Sequence, residues 1–204
     1  AKSKLEKQGK IVVGKGKGGS IGLKELNDSA TRIKLGTNNG VKKESELYQP
    51  IKEYFDEEWG SIYTPPDYYC SIITATTKGK RIRGLWSRPD VSILTITKYQ
   101  FLPTKLVEVT TIEAKRYGDA TPEAVFETAS HNKFAHQAYL IIEWIENENM
   151  DETDSDKVKR IIKEAQRFGI GIIQMKNVQG KWEFRDVLYP QRHEPEPDDC
   201  NTFI

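Results

Sequence analysis

Two neighbouring stretches, Arg88-Pro89-Asp90-Val91-Ser92-Ile93-Leu94-Thr95-Ile96-Thr97 and Leu106-Val107-Glu108-Val109-Thr110-Thr111-Ile112-Glu113-Ala114-Lys115, decide how this chain is read. Both are rich in β-branched and apolar residues, which predicts strands from Val91 to Thr97 and from Leu106 to Lys115. If they form an antiparallel hairpin with its tip at Phe101-Leu102, beside Pro103, then Asp90 and Glu113 are equidistant from that tip. They would face each other with Cβ atoms about 5 Å apart. Side chains alternate along a strand, so Glu113 and Lys115 share one face while Ile112 and Ala114 turn to the other, where helices could cover them. Two uncompensated carboxylates at this range repel, and one pKa rises unless a hard, oxygen-preferring cation joins them. Mg2+ is the natural candidate, with Mn2+ as the alternative. Such an ion polarises a phosphate and acidifies a bound water, and a neighbouring lysine can orient that water or neutralise developing charge.

Outward from this pair, the pattern predicts an α/β domain with helices packed on a mixed sheet. Leu47, Tyr48, Ile51 and Phe55 recur at helical spacing between Glu44 and Trp59, with Pro50 an irregularity that should kink or delay the helix. Further strands are expected from Tyr68 to Thr77 and from Arg81 to Leu85. Thr121-Pro122-Glu123 is a good helix start, for a helix running to about Asn132, followed by the strand Ala138 to Trp144. The acidic loop Asn147 to Asp156 should cap a helix from Lys157 to Phe168 that ends at Gly169. Ile170 to Met175 then reads as a buried strand, Trp182 to Val187 as an edge strand, and residues 189–204 as a polar tail.

With 204 residues, 30% of them charged and 37% hydrophobic, the chain fits one ordinary domain with a small appendage and has the profile of a folded, soluble protein. No apolar run approaches a membrane span and no signal peptide is visible, so no membrane partner is expected and a cytoplasmic location is. Cys70 and Cys200 lie too far apart in sequence to suggest a disulfide framework or a CxxC metal site. A formal net charge of +1 hides an asymmetry: residues 1–43 hold eleven Lys or Arg against Glu6, Glu25 and Asp28. That end suits a polyanion, whereas the acidic remainder would repel phosphate unless cations intervened.

The N-terminal 25 residues resemble the last helix and basic wing of a winged-helix DNA-binding module. Residues 2–8 look like the end of a helix, and two short strand-like stretches, Lys10 to Val13 and Ser20 to Leu23, flank the glycine-rich turn Gly14 to Gly19. Lys10, Lys15 and Lys17 are the expected DNA contacts. Gly14, Gly16 and Gly19 also satisfy GxGxxG, but Ser20-Ile21-Gly22-Leu23 is a poor helix start, which sets a dinucleotide site aside. Residues 26–43, rich in Asn, Gly, Thr and Lys, read as a linker to a main domain spanning 44–188. The chain opens on Ala1 without an initiator methionine, so a longer chain with an upstream DNA-reading module is expected.

Asp90 after Pro89, with Glu113-Ala114-Lys115 on the next strand, resembles the PD-(D/E)xK signature of the restriction-endonuclease-like superfamily. The order of elements from Glu44 to about Val187 is similar to its αβββαβ core, a mixed central sheet flanked by helices. The resemblance implies a metal-dependent endonuclease hydrolysing the phosphodiester bonds of DNA, with a role in restriction or defence. It implies that Asp90, Glu113 and the carbonyl of Ala114 bind the metal and that Lys115 serves the nucleophilic water. Many members add an acid from the first helix. Glu44 is the better candidate here because Leu47, Tyr48, Ile51 and Phe55 lie on its face, and Glu46 is the alternative. Cutting both strands with one site would call for a homodimer or successive nicks. The rival reading is a non-catalytic DNA-binding or regulatory protein on a nuclease-like scaffold.

Other constellations are weaker. His131 and His136 fall at a spacing seen in zinc sites but have no cysteine pair, which favours packing or solvent-facing roles. Glu127 and His131, four apart on the helix after the ExK strand, could reach a substrate from above the sheet. Trp59, Trp86, Trp144 and Trp182 read as core or partial core. The run Asp151 to Asp156 lacks the glycine and distal Glu of an EF-hand, so capping explains it better.

Overall fold

The computed structural model describes residues 11–13, 21–23, 40–62, 67–77, 88–144 and 152–204. The chain divides into two units, residues 1–37 and 38–204. In the first, β1 (Ile11–Val13) pairs antiparallel with β2 (Ile21–Leu23), Val12 lying opposite Gly22. The expected helix at 2–8, Lys10, the glycine-rich turn with Lys15 and Lys17, and most of the linker lie outside the described residues. So does the strand expected from Arg81 to Leu85.

The second unit is α/β. Its helix α1 (Tyr48–Ile62) follows a tight turn at Glu44–Glu46, so Pro50 falls in the first helical turn, where its missing N–H would have had no intrahelical acceptor. Six strands follow in sheet order equal to chain order: β3 (Tyr68–Ile73), β4 (Val91–Lys98), β5 (Lys105–Lys115), β6 (Gln137–Glu143), β7 (Gly171–Val178) and β8 (Lys181–Leu188). The β3–β4, β4–β5 and β7–β8 pairs are antiparallel, and β5–β6 and β6–β7 are parallel. Parallel neighbours need crossovers, and α2 (Pro122–Ala129) and α3 (Glu152–Phe168) supply them. Among the described residues, no helix is long and apolar enough to cross a membrane.

The two faces of the sheet carry different helices. On one, Leu47, Ile51 and Phe55 of the α1 segment bury against Val91, Ile93, Ile112, Ala114, Tyr139, Ile141, Ile173 and Met175. The other packs α2 and α3 through Ala124, Val125, Ile161 and Ala165 onto Ala138, Leu140, Ile170 and Ile172. Each fully buried Ile or Leu contributes on the order of 1.5–3 kcal/mol, so the helical spacing of the 47–55 run is sufficient reason for α1 to dock. Ile112 and Ala114 indeed turn to the α1 face. Trp144 is half-buried and Trp182 packs at the edge of the α1-side core, while Trp86 and the side chain of Trp59 lie outside the described residues.

Several boundaries differ from expectation, among them that of β3, which stops at Ile73 with a tight turn over Thr74–Thr76 where the strand is expected to run to Thr77. Helix α3 starts at Glu152, five residues before Lys157, so residues 152–156 belong to the helix instead of to a loop before it. Residues 189–204 are not simply a polar tail. They include α4 (Pro197–Phe203), whose Cys200 is buried with Val109, Phe134 and Ala135 and whose Phe203 stacks on Phe134 with ring centroids 4.4 Å apart. Two apolar residues three apart on a short segment are too little pattern to announce a helix. Removing residues 197–204 should therefore uncover Phe134 and Val109 and cost about 2–4 kcal/mol of stability, measured by urea unfolding against the intact chain.

Candidate metal centre

The site is built where β4 begins and β5 ends. Val91 pairs with Ile112, so the next position outward sets Asp90 beside Glu113, and the Asp90 N–H donates to the Ile112 carbonyl at 2.9 Å. Asp90 Oδ2 accepts the Ala114 N–H at 2.9 Å, which fixes the carboxylate against the strand that carries Glu113. Both acids are nearly inaccessible, Asp90 at 7% and Glu113 at 4% exposure. The turn before α1 brings a third. One carboxylate oxygen from each of Glu44, Asp90 and Glu113 lies within 4.8 Å of the others.

Glu46, the alternative to Glu44, is engaged elsewhere. Its Oε1 accepts the Lys43 N–H at 3.0 Å, closing the Glu44–Glu46 turn. Glu127 of α2 arrives from the opposite face, and its carboxylate lies 3.0 Å from Lys115 Nζ. The lysine also reaches Glu113 Oε1 at 2.7 Å and Glu44 Oε2 at 3.9 Å. One ammonium thus serves the carboxylates of Glu113, Glu127 and Glu44, with Asp90 close by.

This imbalance appears in the protonation equilibria. Burial, and then the neighbouring Asp90 carboxylate, push Glu113 up from an ordinary 4.5 to about 9. Burial also raises Asp90, against the Ala114 N–H and a hydrogen bond from the Tyr48 hydroxyl, both of which favour its charged form. Glu44 is raised by burial despite Lys115. For Lys115, burial alone would lower the pKa, but the surrounding carboxylates outweigh it and hold the ammonium above the usual lysine range. A cluster of buried oxygen donors that cannot all ionise together is the donor set a hard divalent cation takes. Asp90, Glu113 and Glu44 therefore form a group that could hold such an ion.

Tyr48 was legible only as a core residue. It is buried with the α1-side core, yet its hydroxyl donates to Asp90 and lies 3.5 Å from Glu44 Oε1. Its place four residues after Glu44, on the same helical face, was the available signal. His131 does not join Glu127 at the site. It is fully buried in the turn after α2, its ring 5.7 Å from that of Phe134. His136 is buried too, its Nδ1 accepting the Val109 N–H at 3.1 Å, and the main-chain N–H of His193 donates to the His136 carbonyl. His136 thereby links strand β5 to the segment around His193.

No protein-family model matches the sequence, and no curated protein does. Among solved structures, SfsA from Pyrococcus furiosus in complex with Ca2+ is similar with a TM-score of 0.38 at 14% identity, over 74% of this chain and 65% of that one. The chain therefore spans a little under two thirds of the length of that protein.

The raised Glu113 carboxyl sets a direction for stability. Between pH 4.5 and about 9 the folded chain retains a proton that the unfolded chain has released, so metal-free stability should fall as pH rises across this window. Denaturant melts at pH 5, 7 and 9 in EDTA should show that decline, and Glu113→Gln, which removes the largest contribution, should make it shallower.

Proposed function

We propose that residues 44–188 form a Mg2+-dependent phosphodiesterase of the PD-(D/E)xK type acting on DNA. The observation that carries this reading is the convergence of Glu44, Asp90 and Glu113 within 4.8 Å, with Lys115 Nζ 2.7 Å from Glu113. Asp90, Glu113, Glu44 and the Ala114 carbonyl would hold the ion. When bound, Mg2+ would polarise the scissile phosphate and acidify a water, the chemistry a phosphodiester needs at neutral pH. The chain's own groups do the rest. Lys115, held protonated by its carboxylate neighbours, acts as a hydrogen-bond donor that orients the attacking water and balances the charge developing on phosphate. Tyr48 and the Ala114 N–H fix the direction of Asp90, and Glu127 steadies Lys115 from α2.

Supercoiled and linear DNA, with RNA in parallel, incubated in Mg2+ or EDTA, test the proposal. Wild-type protein should cleave only with the metal, and Asp90→Asn and Lys115→Ala should each reduce the rate at least about a hundredfold. Asn is the preferred replacement at position 90 because it keeps an acceptor for the Ala114 N–H. Undiminished cleavage by either variant would sink the assignment, and DNA binding without cleavage by the wild type would favour a non-catalytic scaffold.

The basic N-terminal unit is proposed to contact the DNA backbone through Lys10, Lys15 and Lys17. Deleting residues 1–24 should weaken binding and reduce the slope of log affinity against log salt by about one unit per lost phosphate contact, while single-turnover cleavage at saturating DNA survives. Binding is measured in Ca2+, whose looser coordination is expected to screen the acids without supporting rapid hydrolysis. An unchanged salt slope would make the segment a solvated appendage.

A further inference from the structure

Glu143 is the last residue of β6 and lies at a position where the strand alternation calls for an apolar side chain. Tyr139 and Ile141 share its face and are buried in the α1-side core. A carboxylate at 3% exposure in that place is costly unless its oxygens are satisfied, and here each takes a main-chain donor. Oε1 accepts the Val41 N–H at 2.9 Å and Oε2 the Tyr117 N–H at 3.1 Å. Val41 lies three residues before Glu44, and Tyr117 two residues after Lys115. One side chain therefore clamps the lead-in to one proposed metal ligand and the exit of the strand that carries Glu113 and Lys115. Arg116 reinforces the clamp, its Nη1 donating to the Lys42 carbonyl at 2.6 Å while its Nε is held by Asp119 at 2.7 Å.

From these contacts we infer that Glu143 is a positioning residue for the metal centre, fixing Glu44 in ligating range through the main chain of residues 41–43. This rests on the metal-centre reading above. Glu44 sits in a short turn ahead of α1, where its carbonyl accepts the Leu47 N–H at 2.9 Å, but these contacts and the turn's closure by Glu46 are local and do not tie the turn to the sheet. The tie across to β6 does. Both oxygens of Glu143 are taken by main-chain N–H groups, so it does not touch the ion itself: its contact with Val41 acts through the turn and Glu44, and its contact with Tyr117 steadies the end of β5. Supporting groups of this kind typically change metal affinity 10- to 100-fold.

The test is Mn2+ affinity of the full chain, from the electron paramagnetic resonance signal of the free ion, for wild type, Glu44→Ala, Glu143→Gln and the double variant. Gln keeps one acceptor oxygen but turns an amide NH2 toward the other main-chain N–H, so one half of the clamp is lost. Glu143→Gln should weaken Mn2+ binding about tenfold or more, and the double variant should lose clearly less than the product of the two single losses. A structural role elsewhere would not produce that non-additivity. Arg116→Ala, a half-exposed change that leaves the core intact, should weaken binding in the same direction, and it decides the matter if circular dichroism finds Glu143→Gln unfolded. Wild-type affinity in both Glu143→Gln and Arg116→Ala, or independent losses that multiply in the double variant, would overturn the inference while leaving the metal centre standing. No Mn2+ uptake by the wild type would remove the metal centre and this inference with it.

Discussion

The pairing of Val91 with Ile112 is the constraint from which the site follows. Side chains alternate with a period of two, so this register alone puts Asp90 and Glu113 side by side on one face and sends Ile112 and Ala114 into the core on the other. A slip of one residue would bury the acids under α1 and expose the core. The apolar side of the hairpin thus fixes the register, and the register places two carboxylates where neither is well solvated. Folding energy from one face of the strands is used to hold an electrostatically unfavourable arrangement on the other.

The mixed topology determines what can gather around that pair. Strands β5 and β6 run parallel, so their C-terminal ends emerge together, and the chain leaving β5 must cross over through α2. That crossover brings Glu127 onto Lys115 from one face, while the turn before α1 brings Glu44 from the other. Glu143 ends the neighbouring parallel strand and is therefore within reach of both the β5 exit and the residues leading to Glu44. Each of these acids comes from a separate element, and they meet because the ends of parallel strands are where an α/β sheet leaves room for polar groups.

The resulting charge balance gives the centre its character. Lys115 is the shared counter-ion of Glu113, Glu127 and Glu44, and even so Glu113 retains its proton to well above neutrality. A divalent cation held by Glu44, Asp90 and Glu113 would relieve that repulsion and favour their ionised forms. A structural ion pair would instead match its charges.

Much of this was legible along the chain. The proline before Asp90, the Glu-x-Lys spacing and the apolar alternation of the two strands are local features, and period-two geometry converts them directly into a shared face for Glu113 and Lys115. The 3.6-residue period of Leu47, Ile51 and Phe55 announced α1 in the same way. Sequence favoured Glu44 over Glu46 through the apolar face it shares with Leu47, Tyr48, Ile51 and Phe55, and the closure of the turn by Glu46 leaves Glu44 to face the other acids. Tyr48 read as core, since burial hides the direction in which a hydroxyl points. His131 looked able to reach the site until the turn after α2 buried it. The end of the chain looked polar because Cys200 and Phe203 acquire an apolar surface only when Phe134 and Val109 are brought beneath them. Glu143 gave a faint signal, a charge on the inward parity of an apolar strand, but its partners lie 102 and 26 residues away in sequence. Local periodicity determines which face a residue occupies; which distant groups share that face is decided only when the sheet and its crossovers close, because hydrogen bonds and charge repulsion act over a few ångströms of space and take no account of separation along the chain.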